Sequence, residues 1–231
     1  MKKYLASAAL GILIALPVYS FAAQPKTFEE KLSYSMGFEV GNYFKGAGGD
    51  IQKDLLITGI EDAFNGTAPA LSQEEMVAVQ KEFAAKMQAR QQEKMDELKA
   101  ANLASGQAYL EKNKEQEGVV VTDSGLQYQV LQAGEGDKAK ATDTVKVEYV
   151  GTLIDGTEFD STAKHGEPAE FQVDKVIKGW SEALQLMNVG SKLRLAIPAD
   201  LAYGEQGAAP VIQPNSVLLF DVELLSIETK E

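Results

Sequence analysis

The run Thr144-Val-Lys-Val-Glu-Tyr-Val-Gly-Thr-Leu153 puts Val145, Val147, Tyr149, Gly151 and Leu153 on one side. Period-two patterning specifies a β-strand with one face turned toward a core. Asp155-Gly156 follows at once and is a hairpin turn signal. Upstream, Val119-Val-Val121 and Leu126-Gln-Tyr-Gln-Val-Leu131 read as short strands around the turn Thr122-Asp-Ser-Gly125, before a polar loop from Gly134 to Ala141. Downstream, Val176 to Val189 holds the region's one helical stretch, and Lys192-Leu-Arg-Leu-Ala-Ile197 and Val217 to Ile227 are further strands. The pattern is that of an α+β domain, an antiparallel sheet wrapped on one short helix.

The chain before this domain is helical. Thr27-Phe-Glu-Glu30 is a capping box, and Leu32, Met36, Val40 and Phe44 recur at i+4 behind it. Gly46-Ala-Gly-Gly49 ends that helix, and Asp50 can cap the next, whose stripe is Leu55, Leu56, Ile60, Ala63 and Phe64 before Asn65-Gly66. Two helices this short cannot bury both stripes between themselves. A homodimer built on them is the economical solution, and Gly37 and Gly41, one turn apart, would allow close approach. Ser72-Gln-Glu-Glu75 is a second capping box, opening helix-forming sequence to about Asn113. Val79, Phe83 and Met87 form a seam, whereas Gln88 to Lys94 is polar on every face, as in a solvent-exposed bridge. Two shorter helices broken near Gln91 are the alternative.

Four regions result: a signal peptide at 1–22, a helical dimerisation region at 23–68, a long connecting helix at 69–117 and the sheet domain at 118–231. The signal rests on basic Lys2 and Lys3, an apolar run from Leu5 to Val18, and Ser20-Phe-Ala22 before the expected cut. Pro17 and the shortness of the run argue against a membrane-spanning helix, with a retained anchor as the minor alternative. Export to the periplasm follows, with outer-membrane association open. The net charge of −12 repels phosphate backbones, so nucleic acid is not an expected partner. The chain has no cysteine, which removes disulfides, thiol nucleophiles and cysteine-bound metals. The single histidine, His165, reads as a solvated loop residue.

Leu201-Ala-Tyr-Gly204, followed by Pro214 through Leu224, sets a tyrosine hydroxyl beside glycine turns and a long apolar strand. No serine elbow, metal set or phosphate loop accompanies it. Tyr149, Phe159, Asp160, Phe171, Val176, Ile177, Trp180, Tyr203, Ile212 and Phe220 are the aromatic, aliphatic and polar residues that such a pocket would share. A dry aromatic pocket without a nucleophile points to action on the shape of a bound peptide.

Four runs carry a family resemblance: Val147 through Ser161, Val176-Ile-Lys-Gly-Trp-Ser-Glu-Ala-Leu184, Ile197-Pro-Ala-Asp-Leu-Ala-Tyr-Gly204, and Pro214 through Leu224. In this order they resemble the FKBP-type peptidyl-prolyl cis-trans isomerases over about Gly118 to Glu228. The helical N-terminal part behind a signal is similar to the family's Mip/FkpA-like subgroup from Gram-negative bacteria, whose N-terminal helices form an intertwined dimer. The resemblance implies Trp180 as the floor of a proline pocket, with Tyr149, Phe159, Phe171, Val176, Ile177 and Phe220 around it. It implies Tyr203 as a hydroxyl donor to the substrate carbonyl, Ile212 as a source of a backbone N–H or packing, and Asp160 beside the twisting amide. Tyr149, Asp160 and Tyr203 are then the catalytic set, with no cofactor and no metal.

By the same resemblance the partners are proline-containing unfolded or partly folded proteins, a second copy of the chain and macrolide inhibitors of the family. Chaperone activity, or a binding role at the cell surface, is the alternative to catalysis. Ala169, Gln213 and Ala208-Ala209 depart from common family residues and bear on ligand preference.

Overall fold

The computed structural model describes residues 24–47 and 51–228. The expected signal peptide, and the capping role expected of Asp50, lie outside them. The chain divides into two compact units between Gln80 and Lys81. In the first, helix α1 (Phe28–Ala47) opens with its capping box made: Glu30 N donates to Thr27 Oγ1 at 3.2 Å and Thr27 N to Glu30 Oε2 at 3.1 Å. Helix α2 (Lys53–Asn65) starts at Gln52 without a side-chain cap and ends at Gly66, whose φ of 66° is the left-handed conformation that glycine adopts freely. Helix α3 (Gln73–Asn113) begins with the Ser72–Glu75 box and runs unbroken for 41 residues, with no interruption at Gln91. Along α1 and α2 most of the large apolar side chains stay exposed, Phe64 at 88% and Tyr43 at 65%.

The second unit is built on strands β1 (Val119–Val121), β2 (Gln127–Gln132), β3 (Thr144–Leu153), β4 (Glu158–Ser161), β5 (Ala169–Gln172), β6 (Lys192–Ile197) and β7 (Leu218–Glu228). The sheet runs β1-β2-β6-β7-β3-β4, with β5 also on β3, and every pairing is antiparallel. β3 and β7 pair along their whole length, from Thr144 opposite Glu228 to Leu153 opposite Leu218. The alternation read from β3 is realised: Val145, Val147, Tyr149 and Gly151 are buried, and Glu148 and Val150 between them are exposed.

Two short helices complete this unit. Helix α4 (Thr162–His165) follows β4 directly and helix α5 (Lys178–Leu186) follows a 3-10 turn at Val173–Lys175. The sequence offered one helical stretch here; α4 is too short to show a period. α5 lays Trp180, Ala183 and Leu184 on the core of Val147, Leu195, Leu218, Val222 and Leu224. It comes unusually near the sheet, since a Cβ on Gly179 would lie 2.4 Å from Ile197 Cγ2.

Within this unit the C-terminal part of α3 is tied to the loop before β7. Asn102 Nδ2 donates to Pro214 O at 2.8 Å, and Asn215 Nδ2 donates to Lys99 O at 3.1 Å. Gly106, the one buried residue of α3, leaves room for Val217, whose Cγ2 would lie 2.8 Å from a Cβ there. The loop that carries Tyr203 therefore ends on a helix rather than in solvent.

Overpacking a tight helix–sheet contact costs about 1–3 kcal/mol. Gly179→Val is expected to lower the unfolding free energy of this unit by that amount, read as a lower denaturant midpoint at unchanged slope. An unmoved midpoint would contradict the close approach of α5.

Candidate active site

All but one of the residues singled out in the sequence come from six separate places, and folding gathers them around one cavity of about 540 Å³. β3 supplies Tyr149, β4 supplies Phe159 and Asp160, β5 supplies Phe171, β7 supplies Phe220, and the approach to α5 supplies Val176, Ile177 and Trp180. Tyr203 enters from the loop after β6. Lys175 also lines the cavity, which the sequence did not indicate; it stands in the 3-10 turn before Val176 and carries no pattern of its own.

Trp180 is the centre of the aromatic packing. Its ring meets Tyr149 at 5.2 Å and 88°, Phe220 at 5.2 Å and 81°, and Phe171 at 5.5 Å and 82°. Phe159 meets Phe220 at 5.4 Å and 86°. Edge-to-face contacts at these separations are worth about 0.5–1.5 kcal/mol each beyond burial. Trp180 is 5% exposed, and its buried Nε1 finds no hydrogen-bond acceptor among the described residues. Shape rather than hydrogen bonding therefore holds the indole. Gly151 on β3 makes the box possible, because a Cβ there would lie 2.7 Å from the Phe159 ring and 2.8 Å from that of Phe220.

Against this apolar wall stands one polar pair. Tyr149 Oη donates to Asp160 Oδ2 at 2.6 Å. Asp160 Oδ1 also accepts from Ser161 N at 2.9 Å and lies 2.9 Å from His165 Nε2. Burial opposes ionisation of Asp160, but the bonds from Tyr149, His165 and the Ser161 N–H outweigh it and hold the carboxyl below its ordinary range. Tyr149 moves the other way. Burial, and then the carboxylate to which it donates, push its hydroxyl well above the usual tyrosine value. The pair thus stays as a neutral phenol and a carboxylate across ordinary pH. It is a fixed dipole and not a proton donor.

Ile212 does not line the cavity. The sequence reading allowed it a backbone N–H for the ligand, but that N–H donates to Ala208 O at 3.0 Å, while Ile212 O accepts from Ala208 N at 2.8 Å. Its side chain is buried in the core. By contrast Ile177, at the N-cap of α5, lines the cavity, and its N–H finds no acceptor among the described residues. His165 is exposed, as expected, but it closes α4 rather than lying in a loop, and its Nε2 reaches Asp160 Oδ1.

Comparison with known proteins agrees with this geometry. Residues 135–225 match the family described as FKBP-type peptidyl-prolyl cis-trans isomerase, and residues 29–130 match the domain amino terminal to it. The chain is 43% identical over 227 residues to the Outer membrane protein MIP of Legionella longbeachae, covering 98% of this chain and 97% of that one. It is 42% identical over 210 residues to the isomerase FkpA of Escherichia coli strain K12, covering 88% of this chain and 77% of that one. The crystal structure of FkpA from Escherichia coli superposes with a TM-score of 0.74, over 88% of this chain and 98% of that one, at 42% identity. The chain belongs to the FKBP-type peptidyl-prolyl cis-trans isomerases, enzymes that speed rotation about Xaa–Pro peptide bonds.

Proposed function

We propose that the box on Trp180 is the proline site and that Tyr149, Asp160 and Tyr203 are its catalytic polar groups. The observation that carries this reading is the Tyr149–Asp160 pair set against four edge-to-face aromatic contacts in one cavity. Rotating a peptide bond costs about 18–20 kcal/mol because amide resonance is lost, and uncatalysed Xaa–Pro exchange takes tens to hundreds of seconds. The planar amide is the more polar form, so a water-poor aromatic site disfavours it relative to the twisted one. Fixed donors placed for the twisted form lower the barrier further. The half-exposed Tyr203 hydroxyl and the Ile177 N–H are the donors free to meet a substrate carbonyl. Phe159, Phe171, Val176 and Phe220 enclose the ring, and macrolide inhibitors of the family would compete for the same space.

The clients are proline-containing proteins folding after export, and the protein works in the periplasm or on the envelope. The basic-then-apolar start of the chain and the relative named Outer membrane protein MIP support this. Among the described residues no helix is long and apolar enough to cross a membrane. The exposed apolar faces of α1 and α2 support a homodimer. A Cβ on Gly37 or Gly41 would meet nothing within 4 Å among the described residues, so both positions are open to a second copy. The same faces favour a chaperone activity beside catalysis, with Met36 at 59% exposure adding an adaptable contact.

Two measurements check these statements. In a proline-limited refolding assay, Tyr203→Phe is expected to lower kcat/KM by up to roughly tenfold, the worth of one hydrogen bond. Asp160→Leu and Trp180→Ala should each lose more, and an unchanged slow phase in all three would refute the site. In sedimentation equilibrium the processed protein is expected at twice the chain mass, and a Met36→Glu/Val40→Glu variant at the single mass. A monomeric wild type would refute the dimer.

A further inference from the structure

Tyr203 differs from the other polar groups of the site in having no side-chain anchor. Tyr149 is bonded to Asp160 and packs against the rings of Phe171, Trp180 and Phe220. The Tyr203 side chain makes no hydrogen bond and no ring contact among the described residues, and it is 42% exposed. Its place over the cavity is therefore set by the backbone that carries it. That backbone is the loop between the end of β6 at Ile197 and the start of β7 at Leu218, with only two 3-10 turns of its own. Such a loop is mobile unless something holds it.

Asn215 holds it from two sides. Its N–H donates to Gly204 O at 2.9 Å, which fixes the residue directly after Tyr203. Its side-chain Nδ2 donates to Lys99 O on α3 at 3.1 Å. The residue before it is bound to the same helix, through Asn102 Nδ2 on Pro214 O, and Val217 beyond it fills the notch at Gly106. Lys99, Asn102 and Gly106 stand at helical spacing on one face of α3, so the loop is seated along that face. Lys99 Nζ also lies 3.7 Å from Glu205 Oε2, an exposed pair that adds little. Asn215 has a φ of 59° and is the one non-glycine residue with a positive φ among the described residues. Asparagine enters this left-handed region more readily than most side chains. Glycine would enter it freely, but it has no amide to reach the helix. A sparsely populated backbone conformation persists where the surrounding contacts over-determine it, and here they join the helix to the turn of Tyr203.

We infer that Asn215 is a positioning residue for isomerisation, bracing the turn after Tyr203 against α3 so that the tyrosine hydroxyl meets the substrate from a fixed place. The inference rests on the assignment of Tyr203 to the reacting site. A hydrogen-bond donor lowers a barrier only when it is already in place as the reacting group changes shape. The tolerance for such a donor is about 0.5 Å. Tyr203 has no bond of its own to meet that tolerance, and the brace supplies it through the backbone. The part of α3 from Lys99 onward is then a support of the site and not a spacer. Because Asn215 acts only through Tyr203, its removal costs no more than removal of the hydroxyl itself.

The test is a double-mutant cycle on the full processed chain, read as kcat/KM for an Xaa–Pro peptide. Wild type, Asn215→Gly, Tyr203→Phe and the double variant are compared, with Trp180 emission as the check of folding. Asn215→Gly keeps the left-handed backbone and its N–H and removes only the tie to α3. It is expected to lower kcat/KM about two- to tenfold, within the worth of one hydrogen bond. In the Tyr203→Phe background the same change should cost nothing further, since coupled residues are not additive. In spectra of isotope-labelled tyrosine, Asn215→Gly should shift or broaden the Tyr203 signal and leave that of Tyr149 in place. If Asn215→Gly does not fold, Asn215→Asp, which loses the same donor, is held to the same outcomes. Wild-type activity in the Asn215 variant, or a loss that adds in full to that of Tyr203→Phe, overturns the inference. If Tyr203→Phe loses activity while the Asn215 variant keeps it, the site assignment stands and the brace fails alone. If Tyr203→Phe keeps wild-type activity, the role of Tyr203 and the brace fail together.

Discussion

The contact on which the site depends is the approach of α5 to the sheet at Gly179. A side chain there would overlap Ile197, so only glycine lets the helix settle at this depth. The next residue is Trp180, and the depth of the helix decides where its ring lies. At this depth the indole makes edge-to-face contacts with Tyr149 from β3, Phe171 from β5 and Phe220 from β7. A second missing side chain, at Gly151, lets Phe159 and Phe220 close the far wall. Two glycines, four strands and one helix thus make a cavity that no single element could form. Core packing and the site are the same set of contacts, which is why the cavity is preformed.

The polar side of the cavity follows a different logic. Each group is held in one protonation state across ordinary pH. Burial and the neighbouring carboxylate keep the Tyr149 proton in place, and three donors keep Asp160 ionised. Such a pair can orient and stabilise a dipole, which suits a reaction in which no covalent bond is made or broken.

Much of this was legible in the sequence, and the reasons are local. Alternation along Thr144–Leu153 gave the central strand because one face of β3 is buried and the other exposed. The Thr27 and Ser72 capping boxes were readable because their partners lie within one turn. The pocket residues were readable through the family motifs, and all but one of them line the cavity. What was missed depends on contacts distant in sequence. The Ile212 N–H is consumed by a backbone pair with Ala208, which no side-chain pattern records. The contact of the exposed His165 with Asp160 was not visible because it depends on a one-turn helix set by Thr162 against Tyr149. The Asn102–Pro214 and Asn215–Lys99 bonds join residues more than a hundred positions apart, beyond any periodicity.

The central claim is that the cavity lowers the barrier to rotation through shape and fixed dipoles, with no proton in flight. The solvent deuterium isotope effect on kcat/KM tests it most directly, measured on an Xaa–Pro peptide at matched viscosity. Rotation without proton transfer requires a ratio close to unity. A several-fold slowing in heavy water would contradict it and would assign Tyr149 or Tyr203 a role as an acid.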